Sequence, residues 1–113
     1  MGTFDDLELK AIRLGLDHLI VITGGAAHVG AASTSFPAAN GAIETYTAAV
    51  PGHKEHLLTD GLADQISRQL GVTAVVVMGI HYDGLKPEEI EEISRRTERM
   101  VDSYIAEIKS ANG

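Results

Sequence analysis

The stretch VTAVVVMGIHY, residues 72–82, decides the fold. It is the most strand-prone run in the chain, because β-branched residues dominate it and they pack well on a pleated surface. Gly71 precedes it and Asp83-Gly84 follows it, and both are signals that end a regular element. We therefore predict that this run forms the central strand of a sheet.

Four further strands are predicted before it. Each is a run of apolar, small or β-branched residues, and Gly24-Gly25 and Asn40-Gly41 are the clearest turn signals between them. No helical pattern separates the four runs, so we expect hairpins to join them and an antiparallel sheet to result. The predicted strands cover residues 7–13, 19–23, 28–36 and 42–50.

Two amphipathic helices complete the prediction. Large apolar residues recur every fourth position within residues 53–70, and Gly71 stands where a C-terminal cap is expected. Pro87 suits the first turn of a second helix, in which apolar residues recur at three and four positions as far as Ile108. The order β-β-β-β-α-β-α predicts an α+β fold, with a mainly antiparallel sheet flanked by two helices. Residues 1–113 are expected to form a single domain.

Composition excludes several function classes. Nine basic residues stand against 16 acidic ones, a net charge of −7, and such a chain repels the phosphate backbone of nucleic acids. We expect no membrane partner either, since no basic amphipathic stretch and no long apolar run is present. Cysteine is absent, which removes disulfides and thiolate metal sites. The first ten residues contain no apolar run, so no signal peptide is predicted and a cytoplasmic location is expected.

The charges are distributed unevenly. Residues 18–53 contain one formally charged side chain, Glu44, whereas residues 86–109 contain twelve. A charge-poor region this long leaves more apolar surface than one small core covers, and exposed apolar surface usually marks an interface. We therefore predict that the protein associates with itself, as a homodimer or a larger oligomer.

Three short segments combine glycine with histidine. In GGAAHVGA (residues 24–31) and GIH (79–81), glycines leave the backbone bare beside His28 and His81, so that a flat ligand could approach. Strand alternation is expected to place Gly30 on the same face as His28, and a valine at Gly30 should fill this trough without disturbing the strand. In PGHK (51–54), backbone N–H groups at a helix start and the charge of Lys54 favour an anion.

Each segment also has a purely structural interpretation. The glycines fit a hairpin, and histidines at a helix start or a strand end are often merely solvated or hydrogen-bonded. Neither the dinucleotide fingerprint nor the phosphate-loop motif fits the first segment, and no nucleophile elbow is present. A metal site with Zn²⁺ or Mn²⁺ remains open, with His28, His53 and His81 as ligands and Asp83 or Glu44 as a carboxylate.

The segments occur in an ordered set: ITGG-x-x-H-x-GA (22–31), PGH (51–53) and VVVxGIHxD-x-L-x-PEEI (75–90). Over about residues 19–109, this set resembles the LpdD-like family of small proteins encoded beside aromatic-acid decarboxylases, gallate decarboxylase among them. The resemblance implies an accessory protein rather than an enzyme. Such a protein holds or delivers prenylated FMN to a UbiD-type decarboxylase of aromatic acids. It also implies a fold similar to proteasome assembly chaperones, usually in a dimer.

On this resemblance, the three segments form a site for prenylated FMN or FMN. The uncharged trough would receive the ring system, and the helix start would receive the phosphate. The expected cofactor-binding residues are Gly24, Gly25, His28, Gly30, Ala31, Gly52, His53, Lys54, Gly79 and His81. Two alternatives stay open, a metal-dependent enzyme that uses the three histidines and a pure interaction module that recognises the decarboxylase.

Overall fold

The computed structural model describes residues 4–112, which form five strands and two helices in the predicted order. The two helices, α1 and α2, are separated by the last strand. The elements are β1 (Glu8–Leu14), β2 (Asp17–Gly25), β3 (Ala31–Pro37), β4 (Ile43–Ala49), α1 (His56–Leu70), β5 (Ala74–His81) and α2 (Pro87–Asn112).

The five strands form one mixed sheet in the order β1-β2-β5-β3-β4. As predicted, β5 is the central strand, and β1–β2 and β3–β4 are antiparallel hairpins. The expected hairpin between β2 and β3 does not form, because β5 is inserted between them. β5 runs parallel to β2 and antiparallel to β3, so the sheet is mainly but not wholly antiparallel.

Both helices pack on the same face of the sheet. Strand residues that point to this face alternate with partly exposed ones and are fully buried, as Ile20 and Ile22 show in β2 and Val76 and Met78 in β5. Leu62, Ala63 and Ile66 of α1 and Val101 and Ile105 of α2 complete this core. Aliphatic side chains and Met78 dominate this core, and small polar residues such as Ser33 and Thr59 are buried beside it, which agrees with the low aromatic content of the chain.

The opposite face of the sheet has no helix over it in residues 4–112. We call it the helix-free face, and define it by Ile12, Leu19, Val21, Val75, Val77, Thr34, Phe36 and Tyr46. The rings of Phe36 and Tyr46 stack there with centroids 6.0 Å apart. Large apolar side chains at its β1 edge are well exposed, with Ile12 at 50% and Leu14 at 60%.

The ends of the helices and strands agree only in part with those predicted from the sequence. Gly71 adopts the left-handed conformation at φ 67°, and its N–H donates to the carbonyl of Ser67, so it caps α1 as predicted. At the other end, α1 begins at His56 rather than at residue 53, and β3 begins at Ala31 rather than at His28. Residues 27–30 and 50–55 are therefore connecting segments, and both lie at the same end of the sheet.

Candidate functional site

The candidate site lies at the end of the sheet where β2 and β5 finish and β3 begins. Gly25 is in register with His81, and the N–H of Gly30 donates to the carbonyl of Met78. The N–H of Val50 in turn donates to the carbonyl of Gly30, which draws the segment before α1 to the same place. Three segments that are far apart in sequence thus meet at one sheet end.

Glu55 is the centre of this arrangement, and the sequence patterns did not single it out. Its side chain is only 8% exposed, although carboxylates are seldom buried without a partner. The backbone N–H of Ile80 donates to Oε2 of Glu55 over 3.1 Å. Nε2 of His28 lies 2.8 Å from the same oxygen, and Nδ1 of His53 lies 3.9 Å from Oε1. Glu55 therefore links the central strand to two histidines.

At this site, two glycines without side chains allow other segments of the same chain to pack closely against them. A Cβ on Gly30 would lie 2.3 Å from Cδ of Glu55, and a Cβ on Gly79 would lie 1.5 Å from the carbonyl oxygen of His28. A side chain at either position is incompatible with these contacts. The space that was expected to form a bare trough is therefore filled by Glu55 and by the backbone of His28, and Gly30 does not belong to a regular strand.

Gly24 and Gly25, predicted as a turn, are instead the last two residues of β2, and they are likewise held by protein groups. The N–H of Gly25 donates to Asp6 over 2.8 Å, and the hydroxyl of Tyr82 donates to the same carboxylate. These two hydrogen bonds lower the pKa of Asp6, whereas burial and the hydrogen bond to Asp6 raise the pKa of Tyr82. A Cβ on Gly24 would meet Leu7 and the Tyr82 hydroxyl. The end of β2 and Tyr82 thus anchor the segment that precedes β1.

The structure brings the three predicted histidines together. The ring centroids of His28 and His53 are 4.6 Å apart, and those of His28 and His81 are 6.4 Å apart. His81 is the outlying member, because its Nε2 pairs with Asp83 at 3.0 Å and its side chain is 55% exposed. Glu44, the other carboxylate considered from sequence, accepts a hydrogen bond from Tyr46 on the β4 strand instead.

A cleft of about 230 Å³ opens beside Glu55, between α1, the end of β5 and the start of α2. One part of its lining is apolar, with Leu58, Ile80, Leu85, Ile90 and Ile93. The other part is polar and comes from the segment before α1 and the end of β5, with Gly52, His53, Lys54, Glu55 and His81. The cleft therefore suits a ligand with an apolar body and an anionic end.

The predicted site residues divide into two groups in the structure. Gly52, His53, Lys54 and His81 line the cleft. The others lie behind it: His28 contacts Glu55, Ala31 is buried at the start of β3, and the glycines allow close packing. No signal in the sequence pointed to Glu55, since the helix was expected from residue 53, whereas in the structure Glu55 is the N-cap residue of α1 and its side chain makes no capping hydrogen bond.

The fold places the protein in a known structural class. It is similar to a solved structure described as a novel chaperone complex for yeast 20S proteasome assembly, with a TM-score of 0.62 over 95% of this chain and 97% of that chain. The two sequences are 8% identical, so the likeness concerns the fold alone. No curated protein matches the sequence.

The family follows from the sequence. Residues 3–109 match the prenylated flavin chaperone LpdD-like domain, and the chain belongs to that family. This confirms the resemblance drawn from the three glycine–histidine segments. Within residues 4–112, no helix is long and apolar enough to cross a membrane.

Proposed function

We propose that this protein is a carrier that holds prenylated FMN at the cleft beside Glu55 and delivers it to a UbiD-type decarboxylase. The observation that carries the proposal is the cleft itself, which joins an apolar wall to a polar rim that carries Lys54, in a member of a prenylated flavin chaperone family. The bound group would supply the decarboxylase with the chemistry for reversible decarboxylation of aromatic acids. The carrier needs no nucleophile for this role.

The lining fits one end of such a cofactor. At about 230 Å³, the cleft is smaller than the roughly 300–1,000 Å³ of sites that enclose a drug-sized ligand. Leu58, Ile90 and Ile93 would contact the apolar, prenylated part of the ring system. Lys54 and the backbone N–H of Gly52 would bind the phosphate, because the N–H of His53 already donates to the carbonyl of Val50. The remainder of the cofactor would stay outside the cleft, where a receiving enzyme can reach it.

The helix-free face supports a second element of the proposal, that the carrier works as a homodimer. Across the two central strands, this face presents Val21, Val75 and Val77 with no helix over them in the described residues. Single exposed apolar residues are common, but a continuous apolar sheet face usually belongs to an interface. The charged side chains of this face, Glu8, Lys10 and Glu44, lie on the outer strands β1 and β4, so a second copy can pack against the apolar middle of the face without burying unpaired ions.

Co-expression with a flavin prenyltransferase tests the carrier function. The purified protein should contain prenylated FMN, seen in its absorption spectrum and by mass spectrometry of the released cofactor. Mixing it with a cofactor-free UbiD-type decarboxylase should then transfer the cofactor and produce decarboxylase activity. A protein that binds the decarboxylase but never contains flavin would instead be an interaction module, and the proposal would be wrong.

A further inference from the structure

We infer that His28, His53 and Glu55 form a binding site for a divalent transition-metal ion at the rim of the cleft. One ligand atom from each residue lies within 4.8 Å of the other two. Atoms bound to one Zn²⁺ at about 2.0–2.1 Å are roughly 3–3.4 Å apart in tetrahedral geometry, so side-chain movements on the order of 1 Å would close the site. The set contains Glu55, not the His81 expected from sequence.

The state of His28 is the first argument for a cation. Its Nδ1 lies 3.1 Å from the carbonyl oxygen of Ala26, which can only accept a hydrogen bond, so Nδ1 carries a proton. In the neutral ring, Nε2 then presents a lone pair. Metal-binding histidines commonly have this supporting hydrogen bond on the other ring nitrogen, because it fixes the tautomer and the ring orientation.

The contact between His28 and Glu55 is the second argument. Nε2 of His28 is 2.8 Å from Oε2 of Glu55, yet it is a buried atom without a hydrogen-bond partner, because the two atoms do not face each other along a hydrogen-bond direction. Two lone-pair acceptors at this distance repel unless a positive charge lies between or beside them. A metal ion bound by both atoms removes the repulsion and does not require a linear N–H···O contact.

The third argument is the burial of Glu55. Its carboxylate is 8% exposed, and among the described residues the N–H of Ile80 donates a hydrogen bond to it. One neutral donor offsets only part of the cost of burying a carboxylate. A divalent cation held by Glu55 and the two imidazoles would offset the rest.

The geometry also assigns a role to the ion. Two imidazoles and one carboxylate leave coordination positions open, which is typical of metal sites that bind a further ligand. His53 and Glu55 both line the cleft, so these positions face the space where Lys54 would attract an anion. An oxygen of a phosphate group is the ligand class expected there. The proposal of a metal site does not depend on the carrier function. The proposed role of the ion in binding a phosphate group does rest on that function.

The test uses tag-free, flavin-free protein and Co²⁺, whose visible absorption reports the ligand geometry. Co²⁺ should bind at one ion per chain, and Zn²⁺ should displace it. Glu55→Gln and His53→Gln should each weaken binding by at least roughly tenfold to a hundredfold, since loss of a ligand costs no less than loss of the hydrogen bonds that orient it. His56→Asn is the matched control and should bind Co²⁺ like the wild type, because His56 belongs neither to the ligand set nor to the lining of the cleft.

Several outcomes would overturn the inference. These are a lack of saturable Co²⁺ binding, wild-type binding by His53→Gln, or loss of binding in His56→Asn alone. His53 is partly exposed and supports little of the fold, so its variant remains informative even where Glu55→Gln proves unstable. Inorganic phosphate should alter the Co²⁺ spectrum, and an unchanged spectrum would exclude the phosphate role. No flavin is used, so failure of the metal site leaves the carrier proposal to its own experiment.

Discussion

Gly30 and Glu55 are in contact at the end of the sheet, where the carboxylate of Glu55 occupies the space that a side chain at residue 30 would need. A Cβ on Gly30 would lie within 2.5 Å of three atoms of that carboxyl group. This explains why a glycine stands directly before β3, in a place where the backbone needs no unusual φ. The contact makes Gly30 a determinant of the position of Glu55, and through it of both histidines.

Gly30→Ala should therefore displace Glu55. The carboxylate would lose its hydrogen bond from Ile80 and its contact with His28, and the free energy of unfolding should fall by about 1–3 kcal/mol. Urea unfolding measures this loss, and Co²⁺ binding should weaken in parallel. Gly61→Ala is the control, because a Cβ there has open space and the substitution in a helix should stabilise by about 0.5–1 kcal/mol. An unchanged stability for Gly30→Ala would contradict the close contact.

Lys54→Glu should reduce the affinity for FMN by roughly tenfold or more, because it replaces a cation at the cleft rim with an anion that repels the phosphate. Fluorescence titration with FMN measures the effect. Lys109→Glu changes the net charge equally but lies near the C-terminal end of α2, away from the cleft, where Lys109 donates to Gln69 over 3.2 Å. If both variants lose affinity to the same extent, the phosphate is not bound beside Lys54.

The helix-free face should hold two copies together at tens of micromolar concentration. Ile12→Glu places a charge on this face and should shift the protein towards monomer, because a buried carboxylate without a partner is costly. Leu57→Glu is the matched control, since Leu57 is also an exposed aliphatic side chain, at 70%, but lies on α1. Light scattering gives the masses. A monomeric wild type, or equal dissociation by both variants, would refute this interface.

The free energy of unfolding should decrease as the pH drops below about 6.5, because His18 then takes up a proton more readily in the unfolded chain. This residue is buried and shares a hydrogen bond with the hydroxyl of Tyr104 over 2.5 Å. Burial lowers its pKa, and the charge of Arg13 lowers it further, against an opposing effect of Asp17. Because the folded pKa lies below the unfolded value of about 6.5, protonation favours the unfolded chain, and stability is lost as the pH falls from that value.

Chemical unfolding of the wild type and of His18→Gln at about pH 8 and about pH 5 measures this effect. The variant should show the smaller decrease in unfolding free energy between the two pH values, since the other titrating groups are common to both proteins. An equal decrease in the two proteins would mean that His18 does not control the acid side of the stability profile.

Sequence signals predicted the elements well because those signals are local. β-branched runs predicted the strands, and Gly71 predicted the end of α1. The order of the strands in the sheet could not be predicted from such local signals. Nothing local in residues 22–31 shows that β2 turns away from β3, because the strand that separates them comes about fifty residues later.

Only part of the candidate site could be predicted, because the site also depends on contacts between distant segments. Its histidines stood out beside glycines, but the role of those glycines depends on what approaches them in space. Glu55 resembles an ordinary charged residue at a helix start, and only the approach of Gly30 and the N–H of Ile80 makes it a buried group. Burial of a charge by distant segments leaves no periodic pattern for sequence analysis to detect.

The position of β5 also sets the order in which the molecule can assemble. The two hairpins can form early, since each closes a short loop, but neither has a partner until the chain has been made through His81. During synthesis, one edge of β2 and one edge of β3 therefore remain unpaired until β5, which joins them, has been made. The hydrogen bonds that fix Glu55 to Ile80 and Gly30 to Met78 form only at that insertion. A chain that ends before β5 should thus lack both its sheet and its ability to capture a cofactor.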